Sequence, residues 1–199
     1  KATSEVNEDV SLFNTRSTSK HVAYIYHVQD GLCVLVRNGN TNILIDCGEK
    51  GEAVKADAIN HMKSLGVKKI NHVILTHFHS DHVAGFKDFA NNFEIENVYY
   101  KDLKKSLLPQ LEIDWKTDKY YDEVVSICRE KQINEIKIKS DKTVDCVKIF
   151  AGDTSDNYNN YNRQSLSMTV TMNGRKLFVA GDIIYDTEKI ILSKLGKCD

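Results

Sequence analysis

The stretch with the clearest chemical content is Thr76-His77-Phe78-His79-Ser80-Asp81-His82. Three histidines and an aspartate fall within six residues, directly after the apolar run Val73-Ile74-Leu75. Imidazole nitrogen and carboxylate oxygen are the common ligands of zinc and related divalent ions. With extended backbone at His77 and His79, a period of two points both rings the same way, so they can share one ion. Asp81 and His82 are adjacent and diverge unless the chain turns there. A turn into a helix starting near Val83 would aim them at a second ion. Two ions about 3.5–4 Å apart clamp the attacking and leaving oxygens of a hydrolysis. The alternative is a polar loop that happens to be rich in histidine.

Two further strand ends belong with this stretch. Val179-Ala180-Gly181-Asp182 is an apolar run ending in Gly-Asp, and Ile43-Leu44-Ile45-Asp46-Cys47-Gly48 is another apolar run ending in an aspartate. With these residues in hand, the chain resembles the metallo-β-lactamase superfamily. His77-x-His79-x-Asp81-His82 is similar to its HxHxDH signature, Asp182 to its bridging aspartate, and the run ending at Asp46 to its "LIDxG" strand end. The landmarks cover roughly residues 22–195. The resemblance implies an α/β (α+β) fold, the four-layer αββα sandwich. It also implies Zn²⁺ or Mn²⁺, up to two ions, on His77, His79, Asp81, His82 and Asp182, with Asp182 bridging.

The elements that must position these residues can be read from periodicity. Val22–Val28, Leu32–Arg37 and Thr41–Asp46 read as three strands, the last two joined at Asn38-Gly39-Asn40, a strong hairpin signal. Glu52–Leu65 reads as a helix with a stripe of Val54, Ala58, Met62 and Leu65, stopped by Gly66. His61 beside that stripe is read as structural. His72–Leu75 is the strand that delivers the histidine motif, with His72 packing on the face of Ile74. Val83–Ala90 is expected to be one short helix, with Gly85 allowing close approach of backbone. Val98–Tyr100 is a strand, Asp102–Leu108 a helical turn before Pro109, and a helix carries Tyr120, Val124 and Cys128 through Lys131. Tyr120 and Tyr121 suit packing better than a substrate groove. Ile133–Lys139 and Asp145–Phe150 alternate like strands. Residues 153–163 are rich in Asn, Asp and Tyr and are not expected to form a core element. Ser165–Asn173 and Arg175–Ala180 form a hairpin around Asn173-Gly174, and Asp186–Leu195 closes as a helix burying Ile191 and Leu195.

Composition bounds the function classes. The chain has 199 residues, 41% hydrophobic, which suits one domain with a real core. Residues 1–20 are polar and read as a mobile arm, leaving 21–199 as a single domain. A net charge of −1 argues against a strongly basic nucleic-acid binder. No apolar run approaches the roughly 20 residues that span a membrane. Five cysteines with no CxxC give no disulfide or zinc-ribbon framework. Cys33, Cys47 and Cys146 lie in strand-like runs and read as core, with a metal-adjacent role for Cys47 left open.

Every histidine lies at or before His82. β-Lactamases and glyoxalase II enzymes of the superfamily carry another metal histidine between the HxHxDH motif and the bridging aspartate. At the matching place this chain has Asn162-Arg163-Gln164-Ser165-Leu166. That pattern resembles the metallo-β-lactamase-like domain of ComEC-type competence proteins, although His27-Val28-Gln29-Asp30-Gly31 departs from that branch's "D-V-G-Q-G-D". The resemblance implies a phosphodiesterase or nuclease acting on a phosphodiester or nucleic-acid substrate, placed outside the cell or at a bacterial cell surface. An ion lowers the pKa of bound water towards about 7 and so supplies hydroxide at neutral pH. Asp81 is the candidate catalytic residue, orienting that hydroxide. Asn162 and Ser165 suit a phosphate oxygen or a water, and equally suit loop and capping chemistry. Other readings are hydrolysis of a lactam, thioester or amide, and an inactive binding module of the same fold.

The resemblance further implies that a strand bearing one more histidine, and a final helix, follow Asp199. On that expectation the second ion is short of a ligand, turnover by residues 1–199 is low, and occupancy favours the His77/His79 side. An open sheet edge would then invite self-association.

Overall fold

The structure is a computed structural model that describes residues 21–28, 30–49 and 52–199, and, for 52–55, the backbone alone. The expected arm over 1–20, Gln29 and the Val54 side chain lie outside the described residues. Ten strands form two sheets among the described residues. Sheet A contains β1 (His21–Ile25), β2 (Val34–Asn38), β3 (Thr41–Ile45), β4 (Lys69–Ile74), β5 (Glu94–Tyr100) and β6 (Asn134–Lys137) in that spatial order. The first three run antiparallel, and β3 to β6 run parallel. Sheet B is antiparallel, in the order β10 (Arg175–Val179), β9 (Ser167–Met172), β8 (Val147–Phe150), β7 (Lys142–Val144).

The central strands of sheet A are buried on both faces, and period two explains how. Leu35, Leu44, Val73, Val98 and Tyr100 point into one cluster. Val34, Val36, Ile43, Ile45, Ile74 and Tyr99 point into the other. The first cluster is covered by α1 (Glu52–Ser64), α3 (Phe86–Asn92) and α5 (Thr117–Lys131), through Ala58, Met62, Phe89, Val124 and Ile127. The second cluster is shared with Val147, Ile149, Met168 and Val170 of sheet B. On the other side of sheet B, α6 (Tyr185–Leu195) is tied down by Lys194 to Asp141 and by Lys176 Nζ to the Leu195 carbonyl. This is the mixed α/β sandwich expected from the resemblance.

Parallel β3 and β4 end side by side, which places Asp46 and Thr76 next to each other at one rim of the sandwich. After β4 the chain runs without regular structure to His79, then enters α2 (Ser80–Val83). The turn therefore comes earlier than a helix at Val83 would place it. A second short helix, α3, follows, so the single helix expected over Val83–Ala90 is split. Gly85 sits at the break, donating its N–H to the Gly48 carbonyl. A Cβ on Gly85 would lie 2.2 Å from the Cys47 carbonyl oxygen. Backbone cannot yield as a side chain can, so Gly85→Ala is expected to destabilise the protein by about 1–3 kcal/mol. A urea titration should show a lower midpoint with an unchanged slope.

Several other expectations are corrected. Residues 153–163 do contribute to the core: Tyr158 and Tyr161 are buried, and Tyr161 opens a short 3-10 turn over Tyr161–Gln164. Aromatic rings on a polar loop can reach back to the core, which a polar average over the segment conceals. Leu195 is only partly buried, while Ile191 is fully covered. A helix at α4 (Gln110–Asp114) and the strand β7 were not read from the sequence at all. The structural roles expected for His72 and His61 hold: His72 packs edge-on against Tyr99, and His61 hydrogen-bonds the Tyr26 hydroxyl. Tyr121 packs on Phe78 and Tyr100. The outer edge of β10 is met by Asp199, whose N–H donates to the Lys176 carbonyl and whose carboxylate accepts the Lys176 N–H.

Candidate metal centre

His77, His79, Asp81, His82 and Asp182 come together at the rim. One ligand atom each from His77, His79 and Asp182 lie within 4.8 Å of one another, and so do one each from Asp81, His82 and Asp182. The two groups share Asp182. Its carboxylate oxygens stand 3.9 Å from His77 Nε2 and 3.1 Å from His82 Nε2. Asp81 approaches His82 Nε2 at 3.4 Å.

Each histidine is tied down through the ring nitrogen that faces away from the cluster. Asp46 is the hub for two of them. Its Oδ1 accepts the Thr76 N–H at 2.7 Å, and its Oδ2 accepts the Thr76 hydroxyl at 2.7 Å and His82 Nδ1–H at 2.7 Å. With its proton spent on Asp46, the Thr76 oxygen is left to accept His77 Nδ1–H at 3.0 Å. His79 donates Nε2–H to Glu112 at 2.8 Å. The tautomers follow from this network. With neutral rings around an ion, they would leave His77 Nε2, His79 Nδ1 and His82 Nε2 as lone pairs aimed inward; without one, His77 Nε2 and His79 Nδ1 stand at a hydrogen-bond distance of 3.0 Å. Three inward lone pairs and two carboxylates are the donor set of a divalent ion that prefers nitrogen and oxygen, so these residues fit zinc or manganese.

The backbone is built for this. Asp46 has φ +54, a left-handed conformation that costs most residues about 1–3 kcal/mol. Its three hydrogen bonds hold it there. Asp182 follows Gly181, where a Cβ would fall 2.6 Å from Ser165 Oγ and 2.7 Å from the Leu166 carbonyl. Only glycine lets the end of β10 press this close to the start of β9. Ser165 Oγ accepts the Asp182 N–H at 3.2 Å and donates to the Leu166 carbonyl. Ser165 is therefore fully buried behind Asp182, not presented to a substrate, because its hydroxyl is consumed by backbone. Asn162 lies in the 3-10 turn beside it, and its Oδ1 is buried with no hydrogen-bond partner among the described residues.

In the metal-free site His77 is neutral and His82 charged, so the His82 Nε2 lone pair is free only once its proton has left. Burial, then the neighbouring His82 and His79, hold the His77 ring well below the ordinary histidine range, so it is neutral. Burial also opposes charge on His82, but Asp46, Asp182 and Asp81 outweigh it and push the ring up to about 12. A divalent cation competes with that proton for the Nε2 lone pair. Hydrogen bonding to His82 is the main cause that lowers the Asp81 carboxyl. Burial raises the Glu112 carboxyl, yet the bonds from His79 and Thr117 prevail and hold it below its ordinary value. Burial drives the Cys47 thiol well above its usual range, and Cys47 belongs to the helix-side core, not to either ligand group.

Two residues at the site were missed in the sequence. Glu112 had no visible partner, since its contacts to His79 and Thr117 exist only once α4 has folded over the motif. Trp115, just after α4, stands edge-on to His79 at 5.6 Å between ring centroids. The one available hint was Pro109 before the run Gln110–Asp114, a helix-entry signal. On the other side of Asp182 lies a cavity of about 510 Å³, bounded by Ile25, Gly31, Asp81, His82 and Leu177–Asp182.

Comparison with known proteins agrees with this picture. "Lactamase-like protein adaB" of Aspergillus niger is 39% identical over 69 residues, which is 34% of this chain and 22% of that protein. A Thermotoga maritima protein assigned as a metallo-beta-lactamase superposes with a TM-score of 0.60 at 19% identity, over 92% of this chain and 87% of its own. MEM-A1, a subclass B3 metallo-beta-lactamase isolated from a soil metagenome library, gives 0.51 at 14% identity, over 89% and 74%. At these identities the structural likeness speaks to the fold alone. A sequence model of the metallo-beta-lactamase superfamily matches residues 28–197. That match runs from the loop after β1 to the end of α6, across every strand that delivers a ligand, and the chain belongs to this superfamily.

Proposed function

We propose that the protein is a metal-dependent hydrolase acting on phosphodiesters. The observation that carries the hydrolase reading is the pair of ligand groups sharing Asp182, each with its histidines tied from behind. A pair of divalent ions held there would supply Lewis acidity and lower the pKa of water. His77, His79 and Asp182 would hold the first ion, and Asp81, His82 and Asp182 the second. Asp81 is partly exposed on the cavity side, where it can accept a proton from water and orient it. Asp46 and Thr76 keep the rings from turning. Trp115 and the cavity wall flank the cluster and shape what can reach it.

The phosphodiester part of the reading rests on Asn162. Its side-chain oxygen is buried with no hydrogen-bond partner among the described residues, and it falls at the place in the sequence where lactam-cleaving relatives are expected to carry a metal histidine. That oxygen can face a cation or accept from water, and with the amide turned over its nitrogen would donate to a phosphate oxygen.

The test is an assay with excess protein, bis-p-nitrophenyl phosphate and added Mn²⁺ or Zn²⁺. Slow release of nitrophenolate above that of a D182A control, abolished by chelator, is expected. Chelator-sensitive hydrolysis of a β-lactam, with none of the phosphodiester, would overturn the substrate class. Absence of bound metal under all conditions would leave the fold as a binding module.

A further inference from the structure

The helix α4 has its polarity reversed. Glu112 is 5% exposed, whereas its neighbours Leu111 and Ile113, and Trp115 just beyond, are 54%, 38% and 54% exposed. A five-residue surface helix would ordinarily turn its leucine inward and its glutamate to water. Burying a carboxylate is costly unless it is paired and hydrogen-bonded. Here one oxygen, Oε2, takes both bonds: Nε2–H of His79 at 2.8 Å and the hydroxyl of Thr117 at 2.8 Å. Thr117 is fully buried at the start of α5, so the carboxylate is anchored on its far side as well. The other nitrogen of His79, Nδ1, lies 3.0 Å from His77 Nε2, in the space shared with Asp182.

We propose that Glu112 is a positioning residue for the metal centre: it fixes His79 as the Nε2–H tautomer and sets the ring plane so that Nδ1 faces the ion held with His77 and Asp182. The chemistry is general. An imidazole offers a lone pair at one nitrogen only when the proton is held at the other, and a carboxylate there also makes the ring a stronger donor. Of the two histidines of the first ion, His79 would otherwise be the less constrained, since His77 is held by Thr76 and is buried. Thr117 takes part by keeping the Glu112 oxygen from swinging to solvent. The inference rests on the metal-centre reading and is independent of the substrate.

The experiment uses the full chain and Co²⁺ as the probe, with affinity measured by competition against a chelator. Trp115, the single tryptophan of the chain, provides a second readout, because Co²⁺ near His79 should quench it. Glu112→Ala is expected to weaken Co²⁺ binding about 10–100-fold, the usual effect of removing the partner of a ligand histidine. Glu112→Gln keeps an oxygen acceptor in place and should recover most of that loss. In the metal-free wild type at alkaline pH, imidazole ¹⁵N spectra should show His79 as a single Nε2–H tautomer, turning into a mixture in Glu112→Ala. Equal Co²⁺ affinity in wild type and Glu112→Ala, or an Nδ1–H tautomer in the wild type, would overturn the inference and leave the metal centre standing. A wild type that binds no Co²⁺ would overturn both. If Glu112→Ala fails to fold, Thr117→Val carries the same test with a smaller expected loss.

Discussion

Asp182→Ala is expected to leave the protein folded and to remove its metal. The Asp182 side chain is 36% exposed, so its contacts with His77 and His82 are partly screened by water. For exposed pairs of this kind the contribution to stability is about 0–1 kcal/mol. The same carboxylate belongs to both ligand groups, so its loss strips a ligand from each ion at once. Removing a residue that merely supports a ligand lowers affinity about 10–100-fold. Losing a shared ligand should exceed that, and bound metal after dialysis should fall to background, with hydrolysis falling in parallel. Metal analysis with a thermal melt beside it decides the matter. Full metal content in a folded Asp182→Ala protein would mean that the cluster is held together by something other than a shared aspartate.

Asp46 should behave in the opposite way, through stability first. It is completely buried, as are Thr76 and His82, and it satisfies three donors. Asp46→Ala leaves the Thr76 N–H, the Thr76 hydroxyl and His82 Nδ1–H without a partner in the interior. Breaking a buried charged pair in this manner costs about 3–5 kcal/mol. The alanine must also adopt φ +54, which only adds to the loss. Many such molecules would be unfolded at ambient temperature, given a total stability of about 5–15 kcal/mol. Asp46→Asn separates stability from chemistry. Asparagine tolerates the left-handed backbone and can still accept the Thr76 N–H. Its amide nitrogen would then face His82 and donate to Nδ1, moving the imidazole proton to Nε2, on the ligand side. The Thr76 hydroxyl, which cannot donate to that nitrogen, would turn to His77 Nδ1 and move its proton to Nε2 as well, so the Asn variant should fold, with a lower urea midpoint, and bind both ions more weakly. A two-site metal titration reads this directly. Unchanged affinity at both sites would show that Asp46 does not set the His77 and His82 tautomers.

Much of this protein was readable before folding. The histidine motif is local, and its period-two and adjacent spacings are properties of the chain itself. The alternation in Val34–Val36 and Ile43–Ile45 specifies strands buried on both sides, because a side-chain period of two serves two cores at once. Asp182 was legible as an apolar strand ending in Gly-Asp. What the sequence could not supply were contacts between segments far apart in the chain with no pattern of their own. Glu112 lies 33 residues from His79, and a lone glutamate between a leucine and an isoleucine carries no periodic signal. Ser165 resembles a substrate ligand in one dimension. It becomes a backbone support only because Gly181 lets β10 close onto it. The polar run over 153–163 hid Tyr158 and Tyr161, whose rings find the core across a distance that local composition does not measure. Local spacing thus determined which atoms could bind a metal. The tertiary structure decided which of their nitrogens are free to do so, because the proton on each imidazole is set by a partner brought from another element.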